Sequence, residues 1–462
     1  MSARRAARER GGAARTAGRA RRDGRPEVVA DLLTVVPARG AAFARRLALL
    51  EARGGRTDTT IEHTVRAIVD DVRRRGDAAL FAYTRRFDGV ALTARTVEVP
   101  RAAMERAAAA LPRAVRRDLE LAARRIRDFH RRQRQASWSY RDAAGALLGQ
   151  QVRALDRVGV YIPGGTAAYP SSVLMNVVPA KVARVGEVIG VTPAKADGIP
   201  TAVLAAAHVA GLDRLFRIGG AQAIAALAYG TKSVPRVDKI CGPGNAYVAT
   251  AKRLVFGSVG IDMIAGPSEV LIVADGRATP ARVAADLLSQ AEHDPLAAAM
   301  LVTPSAALVR AVQRELATKL ARLPRRAIAR RALRRHGTAF VTASVAEAID
   351  VANRIAPEHL ELAVARPQRW LPAVRHAGAI FLGEDSPEPF GDYLAGPNHV
   401  LPTGGSARFS SPLGVYDFIK RSSVIGASSA VLRRLGPAVV RLAELEGLDA
   451  HARAVRLRLR QP

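Results

Sequence analysis

The chain has 462 residues, of which 49% are apolar and 5% aromatic. It is therefore too long for one compact core and is expected to form roughly two to four domains filled by alanine, valine, leucine and isoleucine. Its 71 basic and 41 acidic residues give a formal net charge of +30, which on its own would suit nucleic acid or an anionic membrane as a partner. Only seven of the basic residues are lysine, however, and the arginines are spread without interleaved aromatics. A biased composition explains this charge better, so neither nucleic acid nor membrane is predicted as a partner.

The first 25 residues are rich in arginine and poor in acids. They lack the apolar core of a secretory signal, and residues 1–25 are predicted to be a disordered basic tail on a bacterial protein. Organellar transit peptides share this composition, so import remains an alternative, although such peptides are usually rich in serine. The chain has no run of about 18 apolar residues that could form a membrane helix. Its single cysteine, Cys241, excludes an intrachain disulfide, and a cytoplasmic location is expected.

Residues 26–157 are predicted to be a mainly helical region that leads into the first α/β domain. Apolar residues at helical spacing predict helices over 41–51, 59–86 and 101–135. From Val158 onward, strand, glycine turn and helix alternate in units of about 30 residues, as in a parallel doubly wound sheet. The predicted strands are 159–163, 187–191 and 214–218, and the predicted helices are 173–185, 199–209 and 221–229.

A second series of the same kind follows. Its predicted strands are 269–274, 298–303, 339–341, 360–364 and 379–382, and its predicted helices run from Thr279 to about His293, over 305–320, and from Ser344 to just before Pro357. A helical tail is predicted from about Ser428. The fold class is therefore α/β: two Rossmann-like, doubly wound domains over 158–260 and 261–410, with small helical N- and C-terminal segments, the latter over 411–462.

Four of the nine histidines lie in segments that also carry carboxylates or amides, a grouping that suits metal binding and proton transfer. Gln290 and His293 are three residues apart on the helix from Thr279, so their side chains share one face and could hold one ion. A structural role is the commoner explanation of such a pair. Asp286, one turn earlier, is an alternative ligand.

Two more polar groups follow. Glu358 and His359 are adjacent where a helix gives way to a strand; they could serve two different proton transfers, or they could simply be surface residues. Asp392 lies in a glycine-containing turn, with His399 seven residues later. Polar loops of this kind bind ligands when they are buried, and an Asx turn with a capping histidine is the alternative.

Glu446 and His451 lie in the helical tail, where they look like solvated charges if taken alone. A tail helix that carries ligands would most simply reach a site on another subunit. In that case the protein would be an obligate dimer.

Three glycine turns follow predicted strands, at 161–165, 219–222 and 242–245. Turns of this kind let phosphates approach the backbone at a helix N-terminus, but none has the full dinucleotide-binding spacing. Cys241 precedes the third turn with no base near it in sequence, so a packing role is expected rather than a nucleophilic one.

Taken together, the segments around Tyr161, Gln290, Glu358, Asp392 and Glu446 resemble, in the same order, the signature regions of the L-histidinol dehydrogenase family, which depends on zinc and NAD. The most specific matches are 261–270 and 286–293. The resemblance spans about Pro26 to Arg456.

The resemblance implies that L-histidinol is oxidised to L-histidine through histidinal, in two NAD-linked steps that end histidine biosynthesis. It implies one zinc per subunit, held by Gln290, His293, Asp392 and His451. It implies that Glu358 and His359 are the catalytic bases and that Tyr161, Gln222 and Asn245 bind NAD. The substrate contacts that it implies are Ser268, Gln290, His293, His359, Asp392, His399, Glu446 and His451, with Glu446 and His451 supplied by the partner in a homodimer that shares its active site.

Three other functions are considered. A zinc hydrolase would use no NAD, and the glycine turns and two α/β series argue against it. A relative that acts on another amino alcohol or on a sulfonate-bearing alcohol is closer, but Glu446, His399 and the intact ligand set favour histidinol. A nucleic-acid-binding protein would keep binding after residues 1–25 are removed.

Overall fold

The computed structural model describes residues 32–54, 58–164, 169–193, 195 and 197–459; the predicted basic tail, 1–25, lies outside these ranges. The strands are β1 (Thr34–Pro37), β2 (Trp138–Arg141), β3 (Leu147–Ala154), β4 (Arg157–Tyr161), β5 (Glu187–Val191), β6 (Arg214–Phe216), β7 (Lys239–Cys241), β8 (Gly260–Ile261), β9 (Glu269–Ala274), β10 (Ala298–Thr303), β11 (Thr338–Val341), β12 (His359–Ala363), β13 (Ala379–Leu382) and β14 (Ile419–Gly426).

The helices are α1 (Gly40–Glu51), α2 (Thr59–Arg75), α3 (Asp77–Asp88), α4 (Arg101–Ala110), α5 (Arg113–Arg131), α6 (Pro170–Val182), α7 (Thr201–Ala210), α8 (Gly220–Tyr229), α9 (Ala246–Val255), α10 (Pro280–Ala291), α11 (Ala306–Leu320), α12 (Arg326–His336), α13 (Val345–Ile355), α14 (Glu388–Phe390), α15 (Ser429–Leu445) and α16 (Asp449–Leu459). None of the described helices is both long and apolar enough to cross a membrane.

Five strands form a parallel sheet in the order β6-β5-β4-β7-β8. Helices α2, α3, α8 and α9 cover one face, and α4 to α7 cover the other. Because both faces are buried, β4 and β5 are apolar at nearly every position rather than alternating. The strand order reverses between β4 and β7, which is where doubly wound sheets open a crevice at their carboxyl edge.

Six strands form a second parallel sheet in the order β1-β11-β10-β9-β12-β13. Helices α10 to α12 cover one face, and α1 and α13 cover the other. Without β1, the strand order repeats that of the first sheet, so the predicted pair of Rossmann-like α/β units is confirmed.

The N-terminal region differs from its prediction, because β1 lies at the edge of the second sheet, paired with β11. This segment therefore completes the second unit as well as leading towards the first. The predicted domain boundaries remain predictions.

The third sheet is antiparallel, in the order β14-β3-β2. Strand β14 lies within 411–462, the predicted C-terminal helical segment, and was not expected; the helical tail predicted from about Ser428 is confirmed by α15, which begins at Ser429. Helices α15 and α16 then pack on each other around Val440, Ala443 and Ala452.

Two predicted helices are broken. The helix predicted over 59–86 divides at Gly76, whose φ of 56° lies in the left-handed region that glycine favours. The helix predicted over 101–135 divides before Pro112, which disfavours helical geometry at the residue preceding it.

Candidate active site

Most of the predicted catalytic and metal-binding residues lie at the amino edge of the six-stranded sheet. Ser268 directly precedes β9, Glu358 directly precedes the neighbouring strand β12, and His359 opens that strand. Helix α10 runs back across the sheet between β9 and β10, so its carboxyl end, with Gln290, reaches the same edge. Open α/β sheets usually bind ligands at the opposite edge.

One residue orients both predicted bases through its main chain. The Glu269 N–H donates to Glu358 Oε2 at 2.8 Å, and His359 Nδ1 lies 3.0 Å from Glu269 O. Because a carbonyl oxygen only accepts hydrogen bonds, Nδ1 carries the imidazole proton and Nε2 carries the lone pair. His359 Nε2 is buried and has no hydrogen-bond partner among the described residues, so it is the basic nitrogen of the site.

Burial shifts the pKa values of His359 and Glu358 in opposite directions. It lowers the pKa of His359 to about 4, against the opposing charge of Asp392. Burial also raises the pKa of Glu358, although hydrogen bonds from the Glu269 amide and the Ser268 side chain oppose the shift. The imidazole is therefore neutral near pH 7, and the carboxylate is a stronger base than a free glutamate.

A candidate metal centre lies beside the two bases. Ligand atoms of His293, Glu388 and Asp392 all lie within 4.8 Å of one another. His399 Nδ1 is 3.6 Å from Asp392 Oδ1. Burial would raise the pKa of Asp392, but the adjacent His399 and the charges of the neighbouring histidines lower it below its usual value, which favours the ionised, ligating form of this carboxylate.

Gln290 is fully buried, and neither its Oε1 nor its Nε2 has a hydrogen-bond partner among the described residues. An amide left in this way costs free energy unless a ligand completes it. With its neighbours it makes a donor set of nitrogen and oxygen without thiolate, which fits a borderline divalent metal such as zinc.

The end of α10 differs slightly from its prediction. The helix stops at Ala291, and His293 lies in the following turn, where its N–H donates to Gln290 O. Pro295 explains the early stop, because the residue before a proline avoids helical geometry. The two side chains remain one turn apart.

Asp392 was expected in a turn of glycines but lies in a π-helical turn, Gly391–Ala395, directly after α14. Turns of this type are frequent at functional sites. A Cβ atom at Gly391 would lie 2.6 Å from the Phe381 ring, so only glycine lets this turn approach β13.

Sequence reasoning missed Glu388. It lies between two prolines, four residues before Asp392, and resembles a surface loop acid, yet its side chain is buried. Burial, then the charges of Asp392 and Glu358, raise its pKa. Its one available signal was the four-residue spacing from Asp392, which places both carboxylates on one side of a helical turn.

Asp286, which the sequence offered as an alternative metal ligand, is paired with Glu361 rather than with the candidate metal centre. Its side chain hydrogen-bonds Glu361 on β12, and Glu361 accepts a hydrogen bond from the Glu388 N–H at 3.0 Å. Burial is the main cause that raises the pKa of Glu361 to about 8 and that of Asp286 to about 6. Asp286 thus supports the loop that carries Glu388.

Glu446 and His451 are not part of this cluster within one chain. Both are exposed on the α15–α16 hairpin, where Glu446 follows the last turn of α15. Large apolar side chains are exposed on the same hairpin, including Leu442 at 62%, Leu445 at 84% and Leu457 at 65%. Exposed apolar patches of this kind mark interaction surfaces.

The predicted nucleotide-binding residues lie at the carboxyl edge of the five-stranded sheet, near the reversal of strand order. Tyr161 ends β4, and its hydroxyl accepts from the Gly220 N–H at 3.1 Å. Gly242 follows β7 with φ of 107°, and a Cβ atom there would lie 2.2 Å from Tyr161 O. The two glycine turns therefore meet at Tyr161.

Gln222 and Asn245 lie on the helices that follow these turns. Gln222 is buried, and its Nε2 has no partner among the described residues. The Asn245 side-chain oxygen caps α9 by accepting from the N–H groups of Tyr247 and Val248. Unpaired donors and a helix N-terminus beside a glycine turn are what a phosphate-bearing ligand requires.

Comparisons with known proteins agree on one family. The family model described as histidinol dehydrogenase matches residues 51–459. A histidinol dehydrogenase from Syntrophotalea carbinolica is 56% identical over 90% of this chain and 97% of its own. A histidinol dehydrogenase from Geobacter metallireducens is 54% identical over 91% of this chain and 97% of its own. The crystal structure of histidinol dehydrogenase from Elizabethkingia anophelis superposes with a TM-score of 0.87 at 34% identity, over 93% of this chain and 98% of that one.

Proposed function

The chain belongs to the histidinol dehydrogenase family, and we propose that its His359 cluster oxidises L-histidinol through histidinal to L-histidine, with NAD⁺ as acceptor, as the last step of histidine biosynthesis. The observation that carries the proposal is the hydrogen bond between His359 Nδ1 and Glu269 O at 3.0 Å. It fixes Nε2 as a base in the cluster that also holds His293 and Asp392.

His359 is proposed as the base in both oxidations. In the first, Nε2 takes the proton of the substrate hydroxyl as the carbon gives up a hydride, and the aldehyde results. Glu358 then takes a proton from a water molecule as the water oxygen adds to the aldehyde carbon, and the protonated His359 gives its proton to the aldehyde oxygen, so that the hydrate forms. His359, neutral again, takes a hydroxyl proton of the hydrate as the second hydride leaves, and the acid forms.

The residues present fit a metal, because Gln290 brings a buried amide without a partner to a group of nitrogen and oxygen donors. We propose that Gln290, His293 and Asp392 hold one zinc ion per subunit together with His451 of the partner subunit. When bound, zinc would orient the substrate and polarise its oxygen. Glu388 belongs to the same group of donors and is the competing candidate for the fourth position.

Six further residues are proposed to contact the substrate or the cofactor. Ser268, His399 and Glu446 of the partner subunit are proposed to bind histidinol, whose cationic amine suits a carboxylate. Tyr161, Gln222 and Asn245 are proposed to bind NAD, and the unpaired Gln222 Nε2 supports a ligand there. NAD would supply the hydride acceptor for both oxidations.

The proposed function is tested by incubating the protein with L-histidinol, NAD⁺ and zinc and following the products by NMR. The expected product is L-histidine, formed without accumulation of free histidinal. Other amino alcohols and sulfonate-bearing alcohols serve as comparison substrates. Faster turnover of one of them would move the assignment to a related enzyme, and ester or amide cleavage without NAD⁺ would favour a zinc hydrolase.

A homodimer is proposed because the α15–α16 hairpin exposes large leucines together with Glu446 and His451. If each active site takes these two residues from its partner, a His359→Asn chain and a His451→Ala chain are each inactive alone. Mixed after denaturation and refolding, they should recover roughly a quarter of wild-type activity, because in a two-fold dimer half of the sites in each mixed pair are intact. If mixed dimers form but the mixture is as inactive as the His359→Asn and His451→Ala proteins alone, the active site is not shared between subunits.

Cys241 is expected to be dispensable. Its thiol is fully buried, and burial followed by the Asp262 charge raises its pKa, which keeps it in the unreactive thiol form. Cys241→Ala should retain turnover within about twofold and lose about 1 kcal/mol of unfolding free energy to the small cavity. Loss of the second oxidation alone would instead indicate a thiol adduct of the aldehyde.

We also propose a cytoplasmic location, since the single thiol needs no oxidising compartment. Fractionation of cells that express the full chain tests this, and recovery of the activity outside the cytoplasmic fraction would contradict it.

A further inference from the structure

Arg53 lies in a 3₁₀ turn, Ala52–Gly54, that follows α1, more than 200 residues before the active-site segments. Its guanidinium nevertheless reaches two of them. Arg53 Nε donates to Glu269 Oε1 at 3.2 Å, and Arg53 Nη2 donates to Leu296 O at 2.7 Å. The two paired side chains are 9% and 2% exposed, so this contact is protected from solvent screening.

Each end of this contact supports a part of the active site. Glu269 holds both bases through its main chain, with its N–H on Glu358 and its carbonyl on His359. Leu296 closes the turn after His293, in which the Leu296 N–H donates to Asp294 Oδ1 at 2.8 Å. One arginine therefore connects the start of β9, which orients the bases, to the turn that directly follows His293, a proposed metal ligand.

We propose that Arg53 is a positioning residue for the oxidation, and that it acts by fixing the Glu269 peptide and the 293–296 turn relative to each other. The inference rests on the proposed function of the cluster. Glu269 Oε2 has no hydrogen-bond partner among the described residues. Loss of Arg53 would therefore leave the buried Glu269 carboxyl without its ion-pair partner, in the residue whose main chain orients both bases. Small displacements of catalytic groups have large effects on rate.

The test compares three variants of the full-length protein. Arg53→Met is expected to lower kcat roughly 10- to 100-fold, the usual cost of losing an outer partner of a catalytic group, with KM for histidinol nearly unchanged. The double variant Arg53→Met/Glu269→Gln removes the unpaired charge and should recover thermal stability without recovering kcat. Arg46→Met is the matched control, because Arg46 is also hydrogen-bonded to the second sheet, at Thr338 and Gly337, but at β11, two strands from β9. It should lose stability and keep kcat within about twofold.

Two results would overturn the inference. If the double variant recovers both kcat and stability, Arg53 only neutralises a buried charge. If Arg46→Met loses as much kcat as Arg53→Met, any weakening of the sheet is enough to lower kcat. A measurement without substrate separates this inference from the proposed function. The ¹⁵N-labelled His359 Nδ1–H signal, assigned by its loss in His359→Asn, should shift or broaden in Arg53→Met but not in Arg46→Met. An unchanged signal would contradict the positioning role even if histidinol proved not to be the substrate.

Discussion

His359→Asn is expected to lower the turnover of L-histidinol by roughly 10²- to 10⁴-fold, the range that general-base catalysis contributes. The asparagine amide can still donate to Glu269 O in place of the imidazole Nδ1, but no basic nitrogen remains at the position of Nε2. Both oxidations should therefore slow together. The measurement is kcat with saturating L-histidinol and NAD⁺.

Metal content is the control for this variant. His359 lies outside the His293, Glu388 and Asp392 group, so His359→Asn should bind as much zinc as the wild-type protein. Turnover close to that of the wild type would remove His359 from the mechanism. Loss of zinc with activity would make His359 a ligand rather than a base.

His293→Ala is expected to lose zinc and activity together. It removes one donor of the candidate metal centre. Metal affinity should fall by more than the roughly 10- to 100-fold that follows loss of an outer-shell partner. Competition with a zinc-binding dye measures this affinity.

His208→Ala is the matched control for the second variant, because His208 is exposed on α7, on the other sheet. It should retain both zinc and turnover. Full activity of His293→Ala with one bound zinc per chain would refute the ligand assignment, and excess zinc that restored its activity would show that affinity alone had changed.

Local patterns were sufficient to predict the two α/β units. Fully buried strands such as β9 and β10 are continuous apolar runs, and the capping side chain of Ser344 accepts from the Glu347 N–H as its motif predicts. Strand β1 was missed because only one of its four residues is buried. Its place beside β11 depends on pairing with a strand some 300 residues away, which short-range periodicity cannot reveal.

The residues of the candidate site could be predicted from the sequence, but their positions relative to one another could not. Proximity of His293 to Asp392 depends on α10 and the 388–395 loop reaching the same amino edge, which follows from how the helices return across the sheet. Glu388 and Arg53 look like ordinary surface charges in sequence, and only tertiary packing buries them. Glu446 and His451 are exposed on the α15–α16 hairpin, and their proposed contribution to the site of a partner subunit is a relation that no pattern within one chain encodes.

The most direct test of the central claim is the amount of NADH formed per L-histidinol consumed, read at 340 nm before chelation, after chelation and after zinc is restored. We expect about two NADH per histidinol, because oxidation of an alcohol to an acid removes two hydrides. Activity should be lost with the metal and regained with zinc. One NADH per substrate, or full turnover by the metal-free protein, would contradict the proposed reaction.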